Sequence, residues 1–139
     1  MLKVGIIGCG AMGSLHATCW LALPEHAELV AIADVDGKKA EEIIKKHPNI
    51  KLYSTGEELL EAENELDVID ICVPTFLHTK YAVDAMKKVK NVFIEKPVCL
   101  NEQEAELLLK NTGGNRRKST NRSGCSLHEG VCLAQRCCR

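Results

Sequence analysis

The stretch LKVGIIGCGAMG, residues 2–13, decides the fold. Leu2 to Ile7 is a short apolar run rich in β-branched residues, the composition of a strand buried on both faces. It runs directly into Gly8-Cys9-Gly10-Ala11-Met12-Gly13, and a helix follows from Ala11 to Leu23, stopped by Pro24. A G-x-G-x-x-G pattern is short and weak by itself. Between a strand and a helix it has the setting in which Gly8 makes the tight turn, Gly10 admits a close approach to the backbone, and Gly13 lets helix and strand pack.

Outward from that turn, strands and helices alternate. Glu28 to Asp34 reads as a second strand and Gly37 to His47 as a helix with a lysine-rich outer side; Lys51 to Tyr53 is a short third strand. Thr55 and Glu58 have the spacing of a capping box at the head of the next helix. Asp67 to Val73 (DVIDICV) is the strongest strand pattern in the chain. Pro74-Thr75 opens a helix to about Lys88, with Thr75 the expected N-cap. Asn91 to Ile94 is a further strand, and Asn101 with Glu104 caps a last helix. This order predicts an α/β fold, a doubly wound parallel sheet with helices on both faces.

A turn of this kind presents the free N–H groups and partial positive charge of a helix N-terminus to phosphates. Asp34 ends the second strand, where the dinucleotide fingerprint expects a carboxylate for the ribose hydroxyls. A carboxylate there repels a 2′-phosphate, so the expected cofactor is NAD. Lys38 and Lys39 follow on the next loop and helix, where they can neutralise a phosphate, and they keep NADP as the alternative.

Composition bounds the function. The 139 residues are 45% hydrophobic with a net charge of −1, and aromatics make up 4%, which argues against a nucleic-acid surface. Val4 to Pro24 carries no Lys, Arg, Asp or Glu, but glycines at 5, 8, 10 and 13 break it as an apolar helix; the expectation is a cytoplasmic protein without a targeting or membrane segment. The average hides a change of character. Residues 1–110 contain 12 Lys, no Arg and 18 acidic residues, a formal charge of −6, whereas residues 111–139 contain 5 Arg, 1 Lys and 1 acidic residue, a charge of +5. Four of the eight cysteines (Cys125, Cys132, Cys137, Cys138) fall in that last segment.

Three motifs make residues 1–110 similar to the Gfo/Idh/MocA family of oxidoreductases: GCGAMGSLHA at 8–17, VPTFLHTKYAVDAMK at 73–87 and EKPV at 95–98. The resemblance implies a Rossmann dinucleotide-binding domain over residues 1–110. It implies that the Val73-Pro74-Thr75 loop passes the nicotinamide half of the cofactor, with His78 near it. It also implies that Glu95-Lys96-Pro97 stands at the reacting end, with a cis peptide before Pro97 and Lys96 supporting proton transfer as hydride leaves the substrate. The expected cofactor contacts are therefore Gly8, Gly10, Ala11, Met12, Gly13, Asp34, Val73, Pro74, Thr75, His78, Glu95 and Lys96, with Lys96 the catalytic candidate and no metal. His16 is expected to pack or hydrogen-bond in the first helix without a chemical role.

The family pattern continues past residue 110 with a sixth strand and a second domain that carries the substrate pocket and, in the full-length enzyme, an oligomer interface. Residues 111–139 have no apolar periodicity and no strand of useful length, so the expectation is a fold truncated before its last strand, followed by an aberrant, disordered tail. A frame shift near Lys110 would explain it, since codons for Asn111 to Lys118 allow Ile-Leu-Ala-Glu-Thr-Gly-Glu-Lys in another frame. The rival reading is a zinc module of Cys125, His128, Cys132 and Cys137 or Cys138, whose spacing falls outside the strong zinc patterns. The expected function is hydride transfer between nicotinamide and a hydroxyl of a sugar or polyol such as a cyclitol, with this fragment binding cofactor but not turning over. The alternative from another class is a non-catalytic dinucleotide sensor, which would need the glycine turn and Asp34 but not Lys96.

Overall fold

The computed structural model describes residues 1–112 and 131–133. In chain order the elements are β1 (Leu2–Ile7), α1 (Ala11–Leu21), β2 (Ala27–Ala33), α2 (Lys38–Lys46), β3 (Lys51–Tyr53), α3 (Gly56–Ala62), β4 (Val68–Ile71), a 3-10 turn (Thr75–Leu77), α4 (His78–Met86), β5 (Asn91–Ile94), α5 (Glu102–Asn111) and β6 (Val131–Leu133). All strand pairs are parallel, in the order β3-β2-β1-β4-β5-β6. The doubly wound parallel sheet read from the sequence is therefore present, and its order is that of the Rossmann fold.

Alternation along the strands sends successive side chains into two cores. Val4, Ile6, Leu29, Ile32 and Val68 lie with Ala17 of α1 and Ala40 of α2 on one face; Ile7, Ile69, Ile71, Val92 and Ile94 lie with Leu59, Tyr81, Ala82 and Leu108 of α3, α4 and α5 on the other. Burying each of the larger aliphatic side chains contributes about 1.5–3 kcal/mol. Both faces being covered explains why the strands read as apolar runs rather than alternating ones. No helix among the described residues is long and apolar enough to cross a membrane.

Two local expectations change. Thr75 does not cap α4: Leu77 N–H bonds back to the Pro74 carbonyl at 2.9 Å, the chain winds through the 3-10 turn, and α4 starts at His78 with Leu77 in the cap position. The fixed φ of Pro74, −57°, starts that tighter winding. The second change is at the sheet's edge. Val131–Leu133 pairs in parallel with Val92 to Ile94, so β5 is not left open and the sheet is not cut off before a sixth strand. The unpaired edge of β5 invites a partner, and Val131 to Ala134 is the longest apolar run of the last segment, too short to register as a pattern. Residues 113–130 and 134–139, and with them the disordered tail and the zinc alternative, lie outside the described residues.

Candidate functional site

The chain leaves β1 toward β2 and β3 on one side, then returns to place β4 on the other side of β1. At this switch point the loops after β1 and β4 diverge and open a crevice at the C-terminal edge of the sheet, the usual ligand position in such folds. The cavity there has a volume of about 400 Å³. Its walls include Gly8, Gly10, Ala11, Met12, Asp34, Val73 and Pro74. Seven residues expected from the sequence thus meet in one cleft.

The glycines divide into two roles. A Cβ on Gly13 would lie 1.9 Å from the Gly8 carbonyl oxygen, and one on Gly8 would lie 2.7 Å from Val73 N, where φ is also +93°. These two positions hold β1, α1 and the β4 loop in contact, and a side chain at either would push them apart. Gly10 has nothing within 4 Å of its Cβ position and faces open space. A Cβ there would stand in the cleft and not in the protein. Next to it, α1 begins with no side-chain cap and no acidic residue in its first turn, so its leading N–H groups are free toward the cleft.

Asp34 is half-buried and organises the rim. Its Oδ2 accepts the Cys9 amide at 2.5 Å, and its Oδ1 accepts the amides of Asp36 at 2.9 Å and Gly37 at 3.1 Å. One carboxylate thus ties the glycine turn to the loop after β2. Lys38 lies over Asp36 at 3.7 Å, and both side chains are exposed.

The remaining expected residues, Gly13, Thr75, His78, Glu95 and Lys96, do not line the cavity. His78 is 1% exposed, its Nδ1 2.8 Å from the Pro97 carbonyl and its Nε2 2.8 Å from the Val73 carbonyl, so the ring bridges the loops after β4 and β5. The Lys96–Pro97 peptide is cis, as the family resemblance implies. Lys96 is exposed, while Glu95 is buried and accepts the Lys96 amide on Oε2 at 2.9 Å. Thr75 is half-buried in the 3-10 turn and does not line the cavity.

Sequence reasoning missed two features. Ser54, Thr55 and Gly56 also line the cleft; their signal was position, since they follow a strand at the same sheet edge as Gly8 and Asp34. The larger omission is Asp70, 1% exposed in the middle of β4. It points with Val68 to the face covered by α1, where the Trp20 indole donates to Oδ2 at 2.7 Å and His16 Nδ1 lies 3.0 and 3.1 Å from the two oxygens. A charged residue inside an apolar strand was the available signal, because such a group is buried only when its partners are built in. His16 Nε2 lies 3.2 Å from Glu95 Oε1, and the Cys72 sulfur lies 3.3 Å from His16 Nδ1 and 3.4 Å from Asp70 Oδ1. His16, Asp70 and Cys72 place metal-ligating atoms within 4.8 Å of one another, but these atoms already bond to each other and the imidazole balances carboxylate charge. The hydrogen bond to Asp70, then the charges of Asp70 and Glu95, hold His16 above the ordinary imidazole range against the opposing effect of burial. Burial first, and Asp70 second, push the Cys72 thiol far up, so it stays neutral.

Comparison with known proteins shows the family and the fold. A family model described as "Oxidoreductase family, NAD-binding Rossmann fold" (GFO_IDH_MocA) matches residues 2–117. The glucose-6-phosphate 3-dehydrogenase of Bacillus subtilis is 35% identical over 108 residues, covering 78% of this chain and 29% of that protein. The myo-inositol 2-dehydrogenase of Thermotoga maritima is 32% identical over 111 residues, covering 80% and 33%. Among solved structures, the myo-inositol dehydrogenase of Lactobacillus casei in complex with NAD(H) and myo-inositol superposes with a TM-score of 0.78 at 25% identity, over 96% of this chain and 36% of that one. The chain spans about a third of the length of the curated relatives it matches. By the family match and by the switch-point cleft, the chain belongs to the Gfo/Idh/MocA oxidoreductase family and contains its NAD-binding Rossmann fold.

Proposed function

We propose that this chain is the cofactor-binding part of a dehydrogenase that oxidises a hydroxyl-bearing carbon of a sugar or cyclitol with NAD. The observation that carries the reading is the open face of Gly10 beside the uncapped head of α1. That cradle fits a pyrophosphate, which needs backbone N–H donors and no intruding side chain. Asp34 would hold the adenosine ribose, and Val73 and Pro74 would border the nicotinamide end. When bound, the nicotinamide supplies the hydride acceptor. Lys96, on the exposed turn after β5, would bond the reacting hydroxyl and take part in moving its proton. His78 contributes indirectly, by bridging the Val73 and Pro97 carbonyls so that the two loops keep their spacing.

NAD would be favoured over NADP because a ribose held at Asp34 would bring a 2′-phosphate toward the carboxylates of Asp34 and Asp36, and Lys38 is already drawn to Asp36. Titrating the chain with NADH and with NADPH tests this. Wild type is expected to prefer NADH, and Asp34→Asn to narrow the preference by about tenfold, roughly 1.4 kcal/mol. An unchanged preference in the variant removes Asp34 from the ribose site. Hydride transfer to a sugar or polyol is the activity proposed for the whole protein; on these 139 residues the quantity to measure is dinucleotide binding.

A further inference from the structure

One hydrogen-bonded chain runs beneath the cleft, from the sheet's interior to the turn that carries Lys96. It begins at Asp70, buried in β4, which accepts from the Trp20 indole and lies against His16 Nδ1. It crosses the His16 ring to Glu95 Oε1 at 3.2 Å, and ends where Glu95 Oε2 accepts the Lys96 amide at 2.9 Å. Phe93 stacks edge-on against the His16 ring at 6.0 Å between centroids and fixes its plane. Its inner members, Asp70, Trp20 and His16, are not among the expected cofactor contacts, yet they connect α1, whose head forms the phosphate cradle, with the turn proposed to meet the substrate.

We propose that His16 is a positioning residue for Lys96, acting through Glu95 to hold the Glu95-Lys96-Pro97 turn at a set distance from α1. This rests on the reading of the cleft as a dehydrogenase site. The charge balance supports it. The groups facing His16 are two carboxylates, Asp70 from β4 and Glu95 from the end of β5, the neutral Cys72 thiol after β4, and the uncharged ring of Phe93, while the Trp20 indole shares Asp70 with it. One imidazolium between two largely buried carboxylates satisfies both and leaves neither as a lone buried charge. When His16 loses its proton, one of its two carboxylate contacts is left without a donor. The residue free to move is Glu95, since Asp70 keeps its indole and thiol donors. Glu95 holds the Lys96 amide, so His16 deprotonation is read at Lys96.

The test is an NMR titration of the full 139-residue chain that follows the His16 ring nitrogens and the Lys96 backbone amide, paired with an NADH titration of the same sample. The Lys96 amide is expected to shift with the same midpoint as His16. In Glu95→Gln the shift at Lys96 is expected to vanish, while His16 still titrates at a lower pH than in wild type. A Lys96 amide indifferent to the His16 titration overturns the proposal, and so does a step that survives in Glu95→Gln. If that variant does not fold, the wild-type titration alone decides. NADH binding without coupling sinks this inference but not the function; coupling without NADH binding sinks the function but leaves the positioning chain standing.

Discussion

At the scale of single residues, the site divides into groups whose purpose local sequence carries and groups whose purpose only neighbours reveal. Gly8, Gly10 and Gly13 belong to the first kind, because the backbone they shape is their own. Asp34 was also legible, at the end of a strand that follows the glycine turn, although its bonds to the Cys9, Asp36 and Gly37 amides were not. Asp70 and His16 are of the second kind: they are 54 residues apart in sequence, and only the β1–β4 pairing and the lie of α1 bring them together. His16 gives a stability prediction with a definite sign. Its pKa is raised by folding, so its contribution is complete below the ordinary imidazole pKa and is lost as pH rises through the higher folded value. Thermal melts are therefore expected to show a falling midpoint over that window in wild type and a flatter profile in His16→Gln; equal slopes would remove His16 from the linkage. For Lys96, replacing it by alanine in the whole protein is expected to cut hydride transfer by about 10² or more while dinucleotide affinity stays within a few-fold. Equal losses in rate and affinity would make Lys96 a binding group.

At the scale of elements, the starts of α3 and α5 were read from their capping side chains and that of α1 from the glycine turn before it, while the start of α4 was misread. Thr55 accepts the Glu58 amide at 3.2 Å, and Asn101 accepts the Glu104 amide at 2.9 Å, while each Glu reaches back to the amide of the residue before the cap, Ser54 and Leu100. Thr75 looked the same in sequence, but Pro74 sets a 3-10 turn first and moves the start of α4 to His78. The two true caps separate stability from function. Thr55→Ala and Asn101→Ala are each expected to cost about 1 kcal/mol in urea unfolding. Thr55 lines the cleft and Asn101 does not, so only the first is expected also to weaken NADH binding. A matching loss of affinity in Asn101→Ala would mean that α5 supports the site more directly than its position suggests.

At the scale of the whole molecule, the alternation of strands and helices was enough to predict a doubly wound sheet, and the sheet order places the switch point at the glycine turn. The sixth strand was not legible: three residues have no measurable period, and pairing with β5 is what makes them a strand. The central claim is that the crevice between the β1 and β4 loops binds a dinucleotide over Gly10. Gly10→Ala tests it most directly, because the added methyl meets open space and not protein, so the fold should be kept. In a fluorescence titration with NADH, the account predicts saturable binding of one dinucleotide per chain in wild type and a clear loss of affinity in Gly10→Ala with an unchanged melting midpoint. No saturation in wild type, or equal affinity in the variant, would contradict it.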